Sequence, residues 1–387
     1  MANNRFAERK KIEKRERYMD WTLLIIILFL LAFGLVMIFS TSSYEANMNF
    51  GSSTYYLRKQ FGAVLLGLVF MIGISFVPYH WFERLAAIGY GISIILIIMI
   101  IPFGYEANGA KRWLRIMGFS LQPAEVAKVA MIVFLATIVC RLGRLVNTPK
   151  GFLFVLMLIM PICGMLWLIT DNLSSAIIVG GIAMVMLFVC IPGYKPFIMM
   201  GAAVSLVGAA TVFFITKNAG SKALGFRGER ILAWLDPEAY ASGKGFQTLQ
   251  ALYAIGSGGF LGKGLGESIQ KLGFLPEAQN DMIFSIICEE LGFLGALAVM
   301  SMFVILIWRL MIIADNAPDL FGAMLVVGVM GHVAIQVILN IGVVTNVIPN
   351  TGISLPFISY GGSSVLFLLA EMGIVLSVAR GIRLKDL

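Results

Sequence analysis

The chain has 387 residues, of which 59% are hydrophobic and 13% are charged. An average soluble domain has about 25% charged residues, so this composition excludes a soluble globular protein and predicts an integral membrane protein. The formal net charge of +8 does not require a nucleic-acid partner, because basic residues beside membrane spans orient the spans and attract anionic lipid.

Ten apolar runs, nearly free of charged residues, follow one another along the chain. A helix needs about 20 apolar residues to cross the hydrocarbon core of a bilayer, and most of the runs are near this length. The runs cover residues 21–43, 61–77, 85–103, 121–140, 152–169, 173–193, 196–216, 282–308, 320–344 and 363–379. The sequence therefore predicts an all-α integral membrane protein with about ten transmembrane helices.

The runs and the segments between them define the predicted organisation. It consists of a basic cytoplasmic tail at 1–20, helices 1–7 at 21–216, a large extracytoplasmic loop at 217–281, helices 8–10 at 282–380 and a cytoplasmic tail at 381–387. Lys and Arg are concentrated on the side of the first tail. This asymmetry indicates that both termini are cytoplasmic.

The fourth run begins with two ionisable residues, Glu125 and Lys128, in the stretch SLQPAEVAKVA. An ionisable side chain at the centre of a span costs at least about 2.5 kcal/mol, so each of the two is a candidate functional residue. Two interpretations stay open. The residues form a structural ion pair on one helix face, or they line a polar cavity that opens outward.

Four more ionisable residues, Glu289, Glu290, His332 and Glu371, lie in the last three runs. Asp281 stands immediately before the run that contains the two glutamates. At 1.5 Å per residue, the glutamates are about 12 to 14 Å deeper along the helix than Asp281. Hydrogen bonding between helices is the favoured interpretation of all four, and catalysis is the alternative.

Residues 346–362 interrupt the apolar pattern with prolines and glycines. Irregular backbone at membrane depth is tolerated only where it is buried in protein or lines a watery cavity. The segment is therefore predicted to re-enter the membrane from the outer side. It would bring Ser359, Tyr360, Ser363 and Ser364 to the same cavity.

The glycine-rich stretch of the long loop, residues 256–266, contains Lys263 and resembles a nucleotide-binding loop in composition. Its spacing excludes that function. A P-loop would need Gly where Ser257 stands and Ser or Thr where Gly264 stands.

Five sequence blocks occur in the order and spacing of one known family. They are NGAKRWL, LQPAEVAK, ALYAIGSGGFLGKGLGES, FLPEAQNDMIFSIICEELG and ISLPFISYGGSS. On these blocks the chain resembles the SEDS family of bacterial cell-wall polymerases, from the first span to the last. Within the FtsW/RodA/SpoVE group it is more similar to the FtsW-like division and sporulation members.

The resemblance implies a ten-helix fold and a peptidoglycan glycosyltransferase. The substrates it implies are lipid II, a disaccharide-peptide on undecaprenyl pyrophosphate, and the growing glycan strand. Septal wall synthesis at the outer face of the bacterial cytoplasmic membrane is the implied role. The implied partners are a class B penicillin-binding transpeptidase, other divisome membrane proteins and membrane lipid.

The family's essential acidic residue follows the LPEAQN block, which makes Asp281 the matching residue here. The family commonly has Thr where Asn280 stands, a mild departure. A QPD-type turn of the family is replaced by Thr170, Asp171 and Asn172. No role is therefore carried over to Asp171.

Joining two lipid-linked sugars requires a base for the acceptor 4-hydroxyl and positive charge for the departing pyrophosphate. Asp281 is the predicted base. Its other interpretation is a helix N-cap, which is compatible with catalysis. The candidate substrate-binding and pyrophosphate-binding residues are Lys111, Arg112, Glu125, Lys128, Arg227, Arg230, Lys263, Ser359, Tyr360, Ser363 and Ser364. No protein metal site is predicted, and a divalent cation (Mg²⁺ or Mn²⁺) is left as an alternative cofactor.

Three other functions would also place polar groups in a bundle of ten helices. They are a lipid II flippase, a non-catalytic division scaffold and an O-antigen-ligase-like glycosyltransferase. A flippase predicts essential ionisable residues through both leaflets, whereas the candidates here cluster toward the outer side.

Overall fold

The computed structural model describes residues 19–107, 110–116, 119–218 and 225–382. The helices in these residues are α1 (Trp21–Phe50), α2 (Tyr55–Phe76), α3 (His80–Ile98), α4 (Ile100–Phe103), α5 (Pro123–Leu142), α6 (Pro149–Leu168), α7 (Leu173–Cys190), α8 (Lys195–Lys217), α9 (Gly225–Leu235), α10 (Phe246–Gly258), α11 (Ile283–Asp315), α12 (Leu320–Val344) and α13 (Gly362–Ala379). A short 3-10 helix, Gly143–Asn147, follows α5.

Within the described residues, ten helical stretches are long and apolar enough to cross a membrane. They are α1, α2, α3 joined with α4, α5 with the 3-10 turn, α6, α7, α8, α11, α12 and α13. The predicted all-α membrane fold with ten spans is confirmed. One end of the bundle, the loop face, holds residues 225–282 and 345–361, and the other end, the tail face, holds the start of α1 and the end of α13.

A small antiparallel sheet lies on the loop face between α4 and α5. Its strands are β1 (Tyr105–Ala107), β2 (Ala110–Ile116) and β3 (Phe119–Leu121), in the order β1-β2-β3. The sheet places Arg112 near the turn between α6 and α7, because its guanidinium donates to the carbonyls of Thr170 and Asp171.

Helix α1 is longer than its apolar run, because both of its ends are capped. Asp20 accepts a hydrogen bond from the backbone N–H of Leu23 at 2.9 Å, which begins the helix. Gly51, with φ of 66°, ends it and donates its N–H to the carbonyl of Asn47. The helix therefore continues past the predicted end at Ser43 and reaches the loop face.

Helix α11 is broken at Gly292, whose φ of 67° and ψ of −165° are not helical. Arg309 of the same helix pairs with Asp20 at the tail face, 2.9 Å from Nε to Oδ2. About 26 Å of helix separates Gly292 from Arg309, so residues 293–315 are sufficient to cross the bilayer. The preceding residues, 283–291, are an additional helical segment that is buried at the loop face.

Glycines allow the glycine-rich stretch to pack against this break. A Cβ at Gly258 would be 1.9 Å from the carbonyl oxygen of Cys288, and one at Gly292 would be 2.3 Å from the nitrogen of Gly262. Backbone hydrogen bonds join the glycine-rich stretch to the residues around Gly292, including one from Phe293 N to Gly259 O at 3.0 Å. Only residues without a side chain permit this close approach.

Helices α12 and α13 form the centre of the bundle, since 67% of the apolar stretch of each is buried. In contrast, 6% of the corresponding stretch of α8 is buried. The connection between α12 and α13, residues 345–361, is described throughout and contains neither helix nor strand. It lies against the residues just before α11, since Tyr360 donates its N–H to the carbonyl of Gln279 at 2.9 Å.

Candidate functional site on the loop face

Asp281 stands two residues before α11 and is 9% exposed. The N-cap of the helix is Met282, and no side chain caps it. The N-cap interpretation of Asp281 is therefore wrong. Its carboxylate is available for other interactions.

Two amide side chains contact Asp281. Gln247 of α10 donates from Nε2 to Asp281 Oδ1 in a long hydrogen bond of 3.5 Å and to the carbonyl of Pro276 at 3.2 Å. Asn340 of α12 donates from Nδ2 to the backbone carbonyl of Asp281 at 2.8 Å. Elements distant in the sequence thus fix both the carboxylate and its backbone.

The environment raises the pKa of Asp281 to about 7. Burial is the largest cause, since it disfavours the charged carboxylate. The negative charge of Glu277 adds to the effect, and the positive charge of Arg230 opposes it. A carboxyl group with a pKa near neutrality can accept a proton efficiently at physiological pH.

The charge of Arg230 acts on Asp281, and the charge of Arg112 acts on Arg230. Burial and the charge of Arg112 lower the pKa of Arg230, whereas the charges of Asp281 and Asp171 raise it. Arg230 also donates to the carbonyl of Asn350 at 3.4 Å. Arg112, Arg230 and Asp281 are therefore close enough for their charges to interact in sequence, Arg112 with Arg230 and Arg230 with Asp281.

A pocket of about 170 Å³ opens beside these residues. Its lining combines two cations, two amides, a hydroxyl and an indole, and no carboxylate. The lining residues are Arg230, Ala233, Trp234, Gly243, Lys244, Gln247, Thr248 and Asn350. This chemistry suits an anionic, hydroxyl-rich ligand such as a glycosyl phosphate.

Glu125 and Lys128 form an ion pair of 2.8 Å, with side chains that are 7% and 2% exposed. The ion pair of the first interpretation is thus present. Both charges are held inside the protein near the loop-face end of α5.

Lys263 is bound to Glu289. Its Nζ is 2.6 Å from Glu289 Oε1 and 2.8 Å from the hydroxyl of Ser257. Glu289 also accepts from Ser268 and from the backbone N–H of Ile269. Ser257 of α10 donates to Glu289 Oε1 at 3.4 Å, so Glu289 links α10 to α11 and also organises the glycine-rich stretch.

Glu290 contacts both the long loop and another span. Lys271 of the long loop contacts its Oε1 at 2.7 Å, and Ser40 of α1 donates to the same oxygen at 2.7 Å. Deeper in the bundle, His332 Nδ1 and Glu371 Oε2 are 2.8 Å apart and link α12 to α13. Helix–helix hydrogen bonding is therefore confirmed for His332 with Glu371 and for Glu290 with α1.

Of the four residues predicted to bring polar groups to the cavity, Ser359 has a local side-chain partner and Tyr360 has partners from distant elements. Ser359 accepts from the N–H of Leu355 at 2.7 Å. Tyr360 packs edge-to-face on Tyr56 and donates its N–H to the carbonyl of Gln279 at 2.9 Å. Ser363 and Ser364 lie in the first turn of α13.

The remaining candidates have no described contact with Asp281 or the pocket. Lys111 is exposed on β2, and the side chain of Arg227 lies outside the described part of the structure. Among the described residues, no group of three or more His, Cys, Asp or Glu side chains could hold a metal ion. A Mg²⁺ or Mn²⁺ ion beside Asp281 would need its other ligands from a substrate diphosphate and water.

Sequence reasoning missed Gln247, Asn340 and Asn350 as parts of the site. Asn350 donates to Gln247 Oε1 at 2.8 Å, which extends the hydrogen bonds that reach Asp281. Asn340 carried a signal, since it is an amide within an apolar run. The loop amides carried none, because Gln and Asn are ordinary residues of exposed loops.

Fold and site together define a ten-span membrane protein with a titratable carboxyl group and two guanidinium groups at one face. Residues 21–383 match the FtsW/RodA/SpoVE family, described as cell cycle proteins, and the chain belongs to this family. It is 38% identical to a probable peptidoglycan glycosyltransferase FtsW of Trichlorobacter lovleyi, over 95% of each chain. It is 37% identical to stage V sporulation protein E of Bacillus subtilis, over 93% of this chain and 97% of that one.

Solved structures agree with these relatives. A chain from a peptidoglycan synthase complex that coordinates polymerization and crosslinking superposes with a TM-score of 0.78 at 27% identity, covering 94% of this chain and 98% of that one. The rod shape determining protein RodA of Thermus thermophilus superposes with a TM-score of 0.67 at 26% identity, covering 94% and 97%. The family predicted from the sequence blocks is confirmed.

Proposed function

We propose that this chain is a peptidoglycan glycosyltransferase that polymerises lipid II into glycan strands for the septal wall. The glycosyltransferase activity is the one named for the FtsW relatives, and the sporulation relative accords with a septal role. The observation that carries the mechanism is Asp281, a buried carboxyl group whose pKa is raised to about 7 beside Arg230.

Asp281 acts as the general base of the transfer. Its carboxylate removes the proton of the acceptor 4-hydroxyl while that oxygen forms a bond to the anomeric carbon of the donor. The bond from this carbon to the pyrophosphate breaks, and the electron pair leaves with undecaprenyl pyrophosphate. Direct displacement of an α-linked donor gives the inverted, β-linked product.

Arg230 and Arg112 hold the pyrophosphate. Their charges are placed where negative charge accumulates as the bond breaks, and burial strengthens this interaction. The buried ion pair of Glu125 and Lys128 supports the wall of the substrate cavity from within the bundle in this proposal, and Ser359 and Tyr360 are further polar residues of that cavity. A divalent cation shared with the diphosphate would add neutralising charge.

Charges more distant from Asp281 belong to the entrance of the cavity. Lys111, which is exposed on β2, attracts the anionic head group to the loop face in this proposal. Ser363 and Ser364 offer polar groups at the start of α13. Charge attraction of this kind acts over about 8 to 10 Å at physiological salt.

The loop face is extracytoplasmic and both termini are cytoplasmic in this proposal. The bias of Lys and Arg toward the tail face supports that orientation. A class B penicillin-binding transpeptidase and other divisome proteins are the proposed partners. The neighbouring structure solved as a peptidoglycan synthase complex supports a partner of this kind.

The test uses purified protein with and without a class B transpeptidase partner, labelled lipid II and a readout of glycan ladders. Asp281→Asn should reduce the rate by at least about a hundredfold, because general base catalysis is lost. Asp236→Asn is the matched control, since Asp236 is an exposed loop residue that accepts from the N–H of Ala239. Full polymerisation by Asp281→Asn would remove Asp281 from the mechanism. Movement of lipid II into vesicles without polymer would instead support a transporter.

A further inference from the structure

Helix α12 carries two buried amide side chains on one face. Gln336 and Asn340 are one helical turn apart and are 2% and 0% exposed. Both point toward the middle of the α12–α13 connection, since their hydrogen-bond partners there are Ile353 and Ser354. Amides inside a predominantly apolar span are costly unless hydrogen-bonded, so their partners indicate what they do.

Asn340 joins two carbonyl groups that are far apart in the sequence. Its Nδ2 donates to the carbonyl of Asp281 at 2.8 Å and to the carbonyl of Ile353 at 2.7 Å. An amide nitrogen has two hydrogens, so this group uses its whole donor capacity on the two contacts. The side chain is neutral and therefore adds no charge beside the carboxyl group.

Gln336 supports the same arrangement from the next turn. Its Nε2 donates to the carbonyl of Ser354 at 3.0 Å, the residue that follows Ile353. Two consecutive carbonyls of the connection are therefore fixed to α12. The connection cannot move relative to α12 without breaking both bonds.

The fixed part of the connection covers the carboxyl group of Asp281. Gly352 has φ of 68°, and a Cβ built on it would lie 3.8 Å from Asp281 Oδ2. Asn350, two residues earlier, donates to Gln247 Oε1, and Gln247 in turn donates to Asp281. Among these contacts, Asn340 is the one that joins the backbone of Asp281 to the cover over its carboxyl group.

We propose that Asn340 is a positioning residue for the glycosyl transfer: it fixes the backbone of Asp281 against residues 350–353, so that the carboxylate is held toward the Arg230 pocket. This inference rests on the proposed role of Asp281 as the base. Asn340 touches neither substrate nor reacting atoms in this account. It acts on the rate through the position and the desolvation of Asp281.

The physical consequence of removing the amide is specific. The buried carbonyls of Asp281 and Ile353 lose their donor. The segment before α11 and the α12–α13 connection are then free to separate. A displacement of about 1 Å at a catalytic group reduces the rate about a hundredfold. Water that enters beneath the loosened connection solvates the carboxylate of Asp281. The pKa of Asp281 then falls toward its usual value of about 4.

The test compares Asn340→Leu, which has a similar size and no donor, with Asn316→Leu. Asn316 is the control because its Nδ2 donates to Ile312 O at the tail-face end of α11, away from Asp281. Polymerisation of lipid II by the full-length protein with its transpeptidase partner is measured from pH 5 to 9. Asn340→Leu should lower kcat about a hundredfold with little change in KM. It should also move the acidic limb of the pH profile from near 7 to lower pH.

Folding is followed by size-exclusion chromatography and thermal unfolding of each variant. If Asn340→Leu does not fold, the decision passes to Asn340→Ser, whose single donor should give an intermediate loss of kcat. A loss of thermal stability with unchanged kcat and pH profile would overturn the positioning role and leave a structural one. If the Asn340 variants keep wild-type kinetics while Asp281→Asn is inactive, the positioning role is overturned as well. An active Asp281→Asn would instead refute the proposed base.

Discussion

Four effects act on the pKa of Asp281. Burial and the charge of Glu277 raise it, whereas a backbone hydrogen bond and the charge of Arg230 lower it, with a result of about 7. The deprotonated form is the proposed base, so the rate should rise with pH through this value. The two charged neighbours have opposite signs, which provides a paired experiment at the scale of single residues.

Arg230→Gln should move the acidic limb of the pH profile above 7, because the charge that favours the carboxylate is removed. It should also lower kcat/KM, since a pyrophosphate contact is lost. Glu277→Gln should move the limb in the opposite direction, below 7. The measurement is kcat/KM for lipid II as a function of pH. Shifts of the same sign in both variants would contradict the charge assignment.

The broken helix α11 is the element that determines the shape of the site. Its first segment, residues 283–291, carries Glu289 and Glu290, which bind Lys263 and Lys271 of the long loop. These buried charges are paired, which reduces the cost of desolvating them. The glycine-rich stretch is thereby fixed to the segment that begins just after Asp281.

Gly258→Ala tests this packing, because the added Cβ would meet the carbonyl of Cys288 at 1.9 Å. The expected cost is about 3 kcal/mol, seen as a lower thermal midpoint and reduced polymerisation. Gly256→Ala is the matched control in the same helix, since a Cβ there meets nothing within 4 Å. The control should keep or slightly increase stability, because Ala favours a helix interior over Gly. Equal stability of both variants would show that the contact does not matter.

The whole molecule separates a compact centre from an exposed helix. Helices α12 and α13 are the most buried spans, whereas α8 is nearly free of the bundle. All of the groups assigned to the reaction lie at the loop face, so the orientation of the bundle decides which compartment supplies the substrate.

Cysteine labelling in intact cells checks that orientation. Glu238→Cys lies at an exposed position on the loop face and should react with a membrane-impermeant thiol reagent. Lys150→Cys lies at an exposed position in the first turn of α6, on the tail face, and should react only after lysis. The natural cysteines at 140, 163, 190 and 288 are buried or half-buried and are replaced with Ala as background. Labelling of Lys150→Cys before lysis would reverse the proposed topology.

Much of the architecture could be predicted from the sequence. Helix α12, for example, has the bounds of its apolar run, because a bilayer-length run of apolar residues can satisfy its backbone in lipid only as a helix. Asp281 could be singled out by its place in a long motif. The break at Gly292 could not, because a glycine inside an apolar run is compatible with a continuous helix.

By itself, the sequence determined the number of spans, the family and the acidic residue at the centre of the site, since these depend on local hydrophobicity and on contiguous motifs. Only the tertiary structure decided which polar groups meet. Lys263 pairs with Glu289 rather than joining the pocket, and Asn340 reaches Asp281 from another span. Such contacts join residues that are distant along the chain. Their existence depends on how the helices pack, because hydrogen bonds and ion pairs act over a few ångströms.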